Sequence, residues 1–252
     1  MSLAVVESRV TLGFESVAVR VEVHVGSGLP TFSIVGLPDA GVRESRERVR
    51  AAIVSSGLDF PAGRITVNLA PADFPKASCG FDLPIALGIL MASGQVATAG
   101  AQGHPTKPVD IQGWIFVGNL SLTGAIPPTN DPLSVALSIA RHYPAARLVM
   151  GCESARLAAA VPGVQVYEAH SLSQVVAGLL GDVTWRPVDS VSSFVDVADS
   201  EDVGCLSDVR GQSFPKRALE VAAAGGHSLL MVGSPGTGKS MLAGRLPGLL
   251  PA

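Results

Sequence analysis

The chain has little charge, few aromatic residues and almost no cysteine. Of its 252 residues, 15% are charged and 5% aromatic, whereas 47% are hydrophobic. A chain so apolar and so weakly charged is not an intrinsically disordered protein. Its three cysteines, Cys79, Cys152 and Cys205, are odd in number and widely spaced. They exclude a disulfide framework and a cysteine-based zinc site, and they are typical of a protein of the reducing cytoplasm.

Long hydrophobic runs are also lacking. The longest, residues 83–92, is about half of what a bilayer-spanning helix needs, and it contains Pro84. The first nine residues show neither the basic nor the apolar segment of a secretory signal. The five histidines are scattered without ligand spacing, so no histidine-based metal site is predicted. We expect a cytoplasmic protein without a membrane segment.

Strict alternation marks the first clear strand. Valine occupies every odd position of residues 17–25, which predicts a strand with one buried face. Residues 26–30 then predict a turn and residues 31–35 a returning strand. Gly26 and Gly28 do not form a dinucleotide-binding loop, because the third glycine is missing and Pro30 stands where a helix would begin.

A charged helix follows, with Asp39 as its predicted N-cap and Gly57 as its stop near Ser56. Val42, Val49 and Ile53 form its apolar stripe. Six charged residues, Arg43, Glu44, Arg46, Glu47, Arg48 and Arg50, occupy the rest of its surface. This face is either solvated, with internal ion pairs, or a contact for another subunit or a nucleic acid.

The remaining pattern up to residue 180 alternates strands and helices. Arg64 to Leu69 predicts a strand, and Asp82 is predicted to cap a helix through Ala92. Residues 114–123 predict a hairpin or a bulged strand pair turning at Gly118 and Asn119. Further helices are expected at 133–141, 153–160 and 171–180, and further strands at 147–150 and 164–167. The fold class is therefore α/β or α+β with a partly parallel sheet.

Acidic residues dominate residues 181–208, which carry seven of them against Arg186 alone. With its serines and poor periodicity, this stretch predicts an interdomain linker. A second unit is predicted to begin at Val209, with a helix over 214–224, a stop at Gly225 and Gly226, and a buried strand over 228–232.

A phosphate-binding motif follows that predicted strand. Gly233, Ser234, Pro235, Gly236, Thr237, Gly238, Lys239 and Ser240 satisfy the P-loop pattern, and a helix is predicted after them. The glycines allow consecutive backbone N–H groups to face one anion, and Lys239 brings a positive charge to the β- and γ-phosphates. The Ser240 hydroxyl is predicted to ligate Mg²⁺, so ATP and Mg²⁺ are the expected cofactors.

The acidic strand end that ATP hydrolysis requires is missing. No four-residue apolar run ends in Asp-Glu, and the chain stops at Ala252, shortly after the motif. These features predict a fragment that binds nucleotide but cannot hydrolyse it alone, with no catalytic residue in this chain.

Several stretches of the chain resemble the bacterial magnesium-chelatase-like AAA+ ATPases of the YifB/ComM family. They are Gly-Leu-Pro-Thr-Phe-Ser-Ile-Val-Gly-Leu-Pro-Asp at 28–39, Glu-Ser-Arg-Glu-Arg-Val-Arg-Ala-Ala at 44–52, Asp-Val-Arg-Gly-Gln at 208–212, residues 218–227 and the P-loop. Pro75-Lys76 and residues 81–88 also resemble the family, so the likeness covers essentially the whole chain.

The resemblance implies a domain organisation. It implies an α+β domain of the ribosomal-protein-S5 type, like the Lon protease domain, over 1–180, a linker over 181–208, and the start of an AAA+ domain over 209–252. Such AAA+ modules usually assemble into hexameric rings. The resemblance also places Val209 and Gly211 near the adenine of ATP.

Likeness to Lon raises a peptidase hypothesis that the residues contradict. Alignment on Pro75-Lys76 puts Gly80 at the position of the nucleophile, and no lysine lies between Lys107 and Lys216 to act as the base. Ser78 and Cys79 are close by, but a nucleophile without a base is inert at neutral pH.

The resemblance favours a DNA-processing motor of the ComM type, which promotes branch migration in natural transformation. The alternatives are a magnesium-chelatase-like remodelling ATPase without a DNA role, and a non-catalytic interaction fragment. The net charge of -3 shows no basic footprint for nucleic acid, so the residues themselves give DNA binding only modest support.

Overall fold

The computed structural model of the chain describes residues 2–13, 15–74, 76, 80–99, 105–189 and 205–249. It divides into two compact units, Met1–Ser192 and Ser193–Ala252.

The first unit is built on a seven-stranded sheet, in the order β3-β4-β2-β1-β7-β8-β9. Its strands are β1 (Ser2–Leu12), β2 (Glu15–Gly26), β3 (Thr31–Val35), β4 (Arg64–Ala70), β7 (Trp114–Phe116), β8 (Arg147–Gly151) and β9 (Gln165–Ala169). β2 pairs antiparallel with both β1 and β4. The other pairs are parallel: β3 with β4, β7 with β1, β8 with β7, and β9 with β8. A separate antiparallel pair is formed by β5 (Ala97–Ala99) and β6 (Pro105–Pro108). The predicted mixed α/β class is confirmed.

Five helices accompany this sheet: α1 (Ala40–Ser55), α2 (Asp82–Ala92), α3 (Pro132–His142), α4 (Cys152–Ala158) and α5 (Leu172–Leu180). The cap predicted for α1 is confirmed, since the Asp39 carboxylate accepts the backbone N–H of Val42 at 2.7 Å. α2 is apolar all round and packs on β1 and β2 in the centre of the unit. An all-round apolar helix is stable only when buried in this way.

The alternation in β2 has the predicted outcome, because Val19, Val21 and Val23 are completely buried. β1 was not predicted, although Ala4, Val6, Ser8 and Val10 alternate in the same way and are buried. Ser8 on the buried face and the buried Arg9 beside it interrupt the alternation of apolar and polar residues, so the sequence pattern did not indicate a strand. The packing of α2 against this face of β1 and β2 buries these side chains.

The returning strand predicted over residues 31–35 is present as β3, which runs antiparallel to β2 with β4 between them. The prediction for residues 114–123 is wrong. Residues 114–123 form no hairpin: only Trp114–Phe116 is a strand, and it lies in parallel between β1 and β8. A short apolar run does not by itself show which segment will lie beside it, so the pattern did not identify a parallel strand here.

Asp82 does not cap α2, which is a further correction. The residue before the helix, Phe81, occupies the cap position, and Asp82 lies in the first turn with its side chain buried. It accepts hydrogen bonds from Arg48 Nε at 2.7 Å and Nη2 at 3.1 Å. It also accepts the backbone N–H of Leu120 at 3.1 Å. One arginine of the charged face of α1 therefore joins α1 to α2, while Arg43, Glu44, Arg46, Glu47 and Arg50 stay exposed.

Gly88 allows α2 to approach β2 closely. A Cβ atom at this position would lie 2.4 Å from Cγ2 of Val23. We expect Gly88→Ala to destabilise the unit by about 1–2 kcal/mol, because overpacking outweighs the helix propensity that alanine adds. Urea unfolding checks this. Val23→Ala in the same chain should recover part of the loss, and additive losses would contradict the contact.

The segment predicted as a linker is described in part. Residues 182–189 belong to the first unit. Trp185 stacks there on Trp114 with ring centroids 5.5 Å apart, and its Nε1 donates to the carbonyl of Glu168 at 2.9 Å. Residues 190–204 lie outside the described residues.

The second unit is small and weakly packed. It contains two 3-10 turns (Leu206–Asp208 and Pro247–Leu249), α6 (Ser213–Gly225) and α7 (Lys239–Ala243). Its core consists of Leu206, Val209, Leu219 and Leu242. The strand predicted over 228–232 is wrong: these residues pair with no strand in the described part of the chain, and Leu230 and Val232 are each 86% exposed. An apolar run becomes a strand only where another strand accepts its hydrogen bonds.

None of the helices in the described residues has the length and apolarity that crossing a lipid bilayer requires.

Candidate nucleotide-binding site

The predicted phosphate-binding loop connects residues 228–232, which form no helix or strand, to α7. Gly236 and Gly238 both have φ of +82°, a conformation that L residues with a side chain rarely adopt. Gly238 is also the N-cap residue of α7. α7 has only five residues, so the loop N–H groups matter more for an anion than the dipole of this helix.

Lys239 folds back across the loop. Its ammonium group donates to the carbonyl oxygens of Gly233 at 2.9 Å and Ser234 at 2.8 Å, and to Oγ1 of Thr237 at 3.2 Å. These neutral acceptors hold the charge at the centre of the loop. Phosphate oxygens carry full negative charge and make stronger hydrogen bonds with an ammonium than carbonyls do.

The loop is tied internally and to the segment before α6. Thr237 Oγ1 donates to the carbonyl of Ser234 at 2.9 Å. Gln212 has a left-handed backbone, with φ of 52°, and its Nε2 donates to the carbonyl of Thr237 at 3.3 Å. Pro235 and Ser240 are exposed, Pro235 at the tip of the loop and Ser240 as the second residue of α7.

A cavity of about 450 Å³ lies beside the loop. Ser234, Thr237 and Lys239 contribute to its lining on the loop side, and Phe214, Pro215 and Leu230 on the apolar side. Its size and its mixture of an apolar wall with a few polar groups are typical of small-molecule sites. The arrangement places the predicted phosphate-binding loop next to an apolar surface that includes the ring of Phe214.

Val209 and Gly211, which the family resemblance places near adenine, differ in their surroundings. Val209 is buried in the small core, and its carbonyl accepts a hydrogen bond from Lys216 Nζ. Gly211 is exposed. Neither lines the cavity, whereas Gln212 and Phe214, which the sequence did not single out, both do. The signal for Gln212 was its place in the 208–212 stretch, and nothing in the sequence pointed to Phe214.

The donor set fits Mg²⁺ bound together with a nucleotide. The described residues contain no cluster of three or more His, Cys, Asp or Glu side chains that would hold a metal ion unaided. Mg²⁺ usually keeps several waters and takes few protein ligands beside substrate phosphates. Ser240 offers one exposed hydroxyl at the end of the loop, which suits that mode of binding.

The first unit lacks a nucleophile at the position that likeness to Lon suggests. Gly80 has φ of +92°, and a Cβ atom there would lie 2.8 Å from Cγ1 of Val117. Its N–H donates to Oδ1 of Asn119 at 2.9 Å. Lys76 is completely buried and donates to the carbonyls of Pro71 and Phe74. Burial lowers the pKa of Lys76 below its ordinary value. Pro75, Ser78 and Cys79 lie outside the described residues.

Comparison with known families matches both units. Residues 21–153 match the family model described as subunit ChlI of Mg-chelatase. Residues 205–252 match the model described as magnesium chelatase, subunit ChlI.

Three bacterial relatives are similar to the whole chain. The protein named YifB is 40% identical over 252 residues in Salmonella typhimurium and 41% identical over 254 residues in Escherichia coli. The competence protein ComM of Haemophilus influenzae is 40% identical over 253 residues. The matches cover 100% of this chain but only 46%, 46% and 47% of these proteins. The chain thus spans about half the length of the curated relatives it matches.

Proposed function

Because the chain belongs to the magnesium-chelatase-like YifB/ComM family, we propose that residues 233–240 bind the phosphates of ATP together with Mg²⁺. The observation that supports this most is the loop itself, in which three oxygen acceptors hold the ammonium group of Lys239 and the two glycines before it, Gly236 and Gly238, have positive φ.

Binding proceeds by exchange of the partners of Lys239. The β- and γ-phosphate oxygens replace the carbonyls of Gly233 and Ser234 as acceptors of the ammonium group, and backbone N–H groups of the loop donate to the same phosphates. The Ser240 hydroxyl would hold Mg²⁺, which would supply positive charge to neutralise the phosphates. The base lies on the apolar wall that Phe214 and Pro215 form.

We further propose that the whole protein is a DNA motor. Family membership implies an AAA+ module, and AAA+ modules commonly form rings, so we expect a homo-hexamer. Similarity to the competence protein ComM favours DNA as the substrate. In the first unit, Arg43, Arg46 and Arg50 are exposed on one helix. Glu44 and Glu47 between them limit what that helix contributes to phosphate binding.

A second candidate is a remodelling ATPase that acts on a protein or metal-insertion partner without DNA. The observation that favours it is the match of both units to models of the magnesium chelatase subunit ChlI.

ATP turnover by the complete gene product distinguishes the two candidates. We would measure it without DNA and with duplex, single-stranded and four-way-junction DNA. A branch-migration motor predicts stimulation by DNA that is strongest with the junction. Equal turnover in all four conditions would favour the remodelling candidate.

Two variants make this measurement specific. Lys239→Ala should abolish turnover in every condition, which shows that the activity belongs to this loop. Arg43→Ala keeps the loop intact and tests the exposed arginines of α1. A lower apparent affinity for DNA, with unchanged basal turnover, would assign the contact to that helix.

A further inference from the structure

A groove of about 870 Å³ lies on the first unit, on the face of the sheet opposite α2. Its floor is formed by β1 and β2, and its wall by residues 109–113, with Pro71 and Tyr143 also in its lining. We call it the β1–β2 groove. Its volume lies within the range of about 300–1,000 Å³ that is typical of small-molecule sites.

Arg9 is the unusual residue of the β1–β2 groove. It lines the groove but is only 5% exposed. Its Nε atom is buried without a hydrogen-bond partner among the described residues. No carboxylate of the described chain lies within ion-pair distance of it, and its nearest aromatic contact is the Tyr143 ring, with Cζ 4.2 Å from the ring centroid. Arginine stays charged even when buried. Tyr143 and Glu7 attract this cation, but no carboxylate of the described chain forms an ion pair with it, so its desolvation is offset only in part.

The surroundings hold Arg9 in place and leave room beside it. β1 pairs with β2 on one side and β7 on the other, so its backbone is fixed. The residue opposite Arg9 on β2 is Ala18, whose small side chain leaves the groove open. Arg20, two residues further along β2, is exposed at the same groove and adds a second cation. Rigid donors of this kind bind an oxyanion without having to be ordered first.

The acidic residues of the groove limit the size of the anion. Glu7 is half-buried beside Arg9 on β1, and Asp110 is exposed, with its carboxylate accepting the N–H of Gln112 at 2.9 Å. They offset part of the positive potential of Arg9 and Arg20, although neither lies within ion-pair distance of Arg9 in the described chain. A long polyanion gains from a basic surface, which this groove does not offer. The charges of the groove therefore suit a single anionic group rather than a polyanion.

We propose that the β1–β2 groove binds a small organic anion, whose carboxylate or phosphate group pairs with Arg9 and whose apolar body lies against Val5, Val109 and Ile111. This site belongs to the first unit and does not involve the P-loop. The two oxyanions share the same chemistry for a guanidinium, and the choice of probe separates them.

The test uses the full chain carrying Lys239→Ala, so that the P-loop does not contribute a phosphate site. Phenyl phosphate, benzoate and inorganic phosphate are titrated by calorimetry, and the Nε–Hε signal of Arg9 is followed by NMR. We expect phenyl phosphate or benzoate to bind with a Kd below about 1 mM, equivalent to about -4 kcal/mol, and to shift the Arg9 signal. The tighter of the two probes identifies the oxyanion, and weaker binding of inorganic phosphate confirms the role of the apolar body.

Three variants complete the test. Arg9→Met keeps a long apolar stem and should weaken binding at least tenfold. Ala18→Leu keeps the charge and fills the groove, so the same loss should follow even if Arg9→Met does not fold. Arg43→Met removes an exposed arginine outside the groove and should change the Kd less than twofold.

Three results would overturn the proposal. They are an unshifted Arg9 signal at saturating concentrations of all probes, equal binding of neutral benzyl alcohol, and displacement of the probes by a single-stranded thymidine dodecamer at lower concentration. The last would make the groove a nucleic-acid contact.

Discussion

Lys239→Ala is expected to weaken ATP binding by about 100-fold. The variant removes a charge-assisted contact to the phosphates worth about 3 kcal/mol. Lys239 is held at the centre of the loop by the carbonyls of Gly233 and Ser234 and by Thr237 Oγ1, so its charge stands where the phosphates are proposed to bind. Fluorescent ATP titrated into the chain with Mg²⁺ measures the effect. An unchanged affinity would refute the assignment of the loop.

The matched control for this variant is Arg217→Ala. Arg217 is an exposed cation of α6 paired with Glu220 at 3.0 Å, and it does not line the cavity beside the loop. Its removal should change the Kd less than twofold. Lys239→Ala also loses three hydrogen bonds within the loop, but the loop is exposed, so we expect the unfolding midpoint to move little. Loss of binding with an unchanged midpoint then reports on the phosphate contact itself.

Arg48→Met is expected to destabilise the first unit by about 3 kcal/mol. The side chain of Asp82 is 1% exposed, and that of Arg48 is 31% exposed. Removing Arg48 leaves a buried carboxylate with the N–H of Leu120 as its remaining hydrogen-bond donor in the described part of the chain. An uncompensated buried charge of this kind costs about 3–5 kcal/mol, and the partial exposure of Arg48 places the effect at the lower end. Denaturant unfolding of the full chain measures it.

The two partners of this ion pair should differ in their effects. Asp82→Asn removes a charge but leaves an acceptor for Leu120, and Arg48 can turn towards solvent, so we expect a loss of about 1 kcal/mol. The hydrogen bond with Asp82 raises the pKa of Arg48, in agreement with a bidentate pair. Arg43→Met, on the exposed face of the same helix, should cost less than about 0.5 kcal/mol. Asp82→Leu combined with Arg48→Met should recover much of the loss. Equal losses for Arg48→Met and Arg43→Met would show that the pair contributes nothing.

Much of the first unit could be predicted from short patterns. The valines of β2, the cap at Asp39 and the apolar runs of β8 and β9 each predicted their element within a few residues. The errors concern partners: residues 114–123 were predicted as a hairpin or a bulged strand pair, and 228–232 as a buried strand. Each of these depends on which segment lies alongside, and a local pattern does not contain that information.

The candidate nucleotide site also has a part that the sequence predicted and a part that only the structure brought to it. Its loop was predicted residue by residue, because the spacing of glycines, lysine and serine reflects the geometry of a phosphate group. Gln212 and Phe214, which the structure brings to the same cavity, come from a segment more than twenty residues earlier and carry no spacing rule of their own.

The sequence by itself determined the family and the mixed α/β class and predicted the phosphate-binding loop, because each is encoded in residues close together in the chain. Only the tertiary structure decided that Arg48 bonds a buried Asp82, that Arg9 is buried without a carboxylate partner, and that Gly88 lies against Val23. Charged residues are solvated unless distant segments cover them, and which segments do so depends on the order of the strands in the sheet.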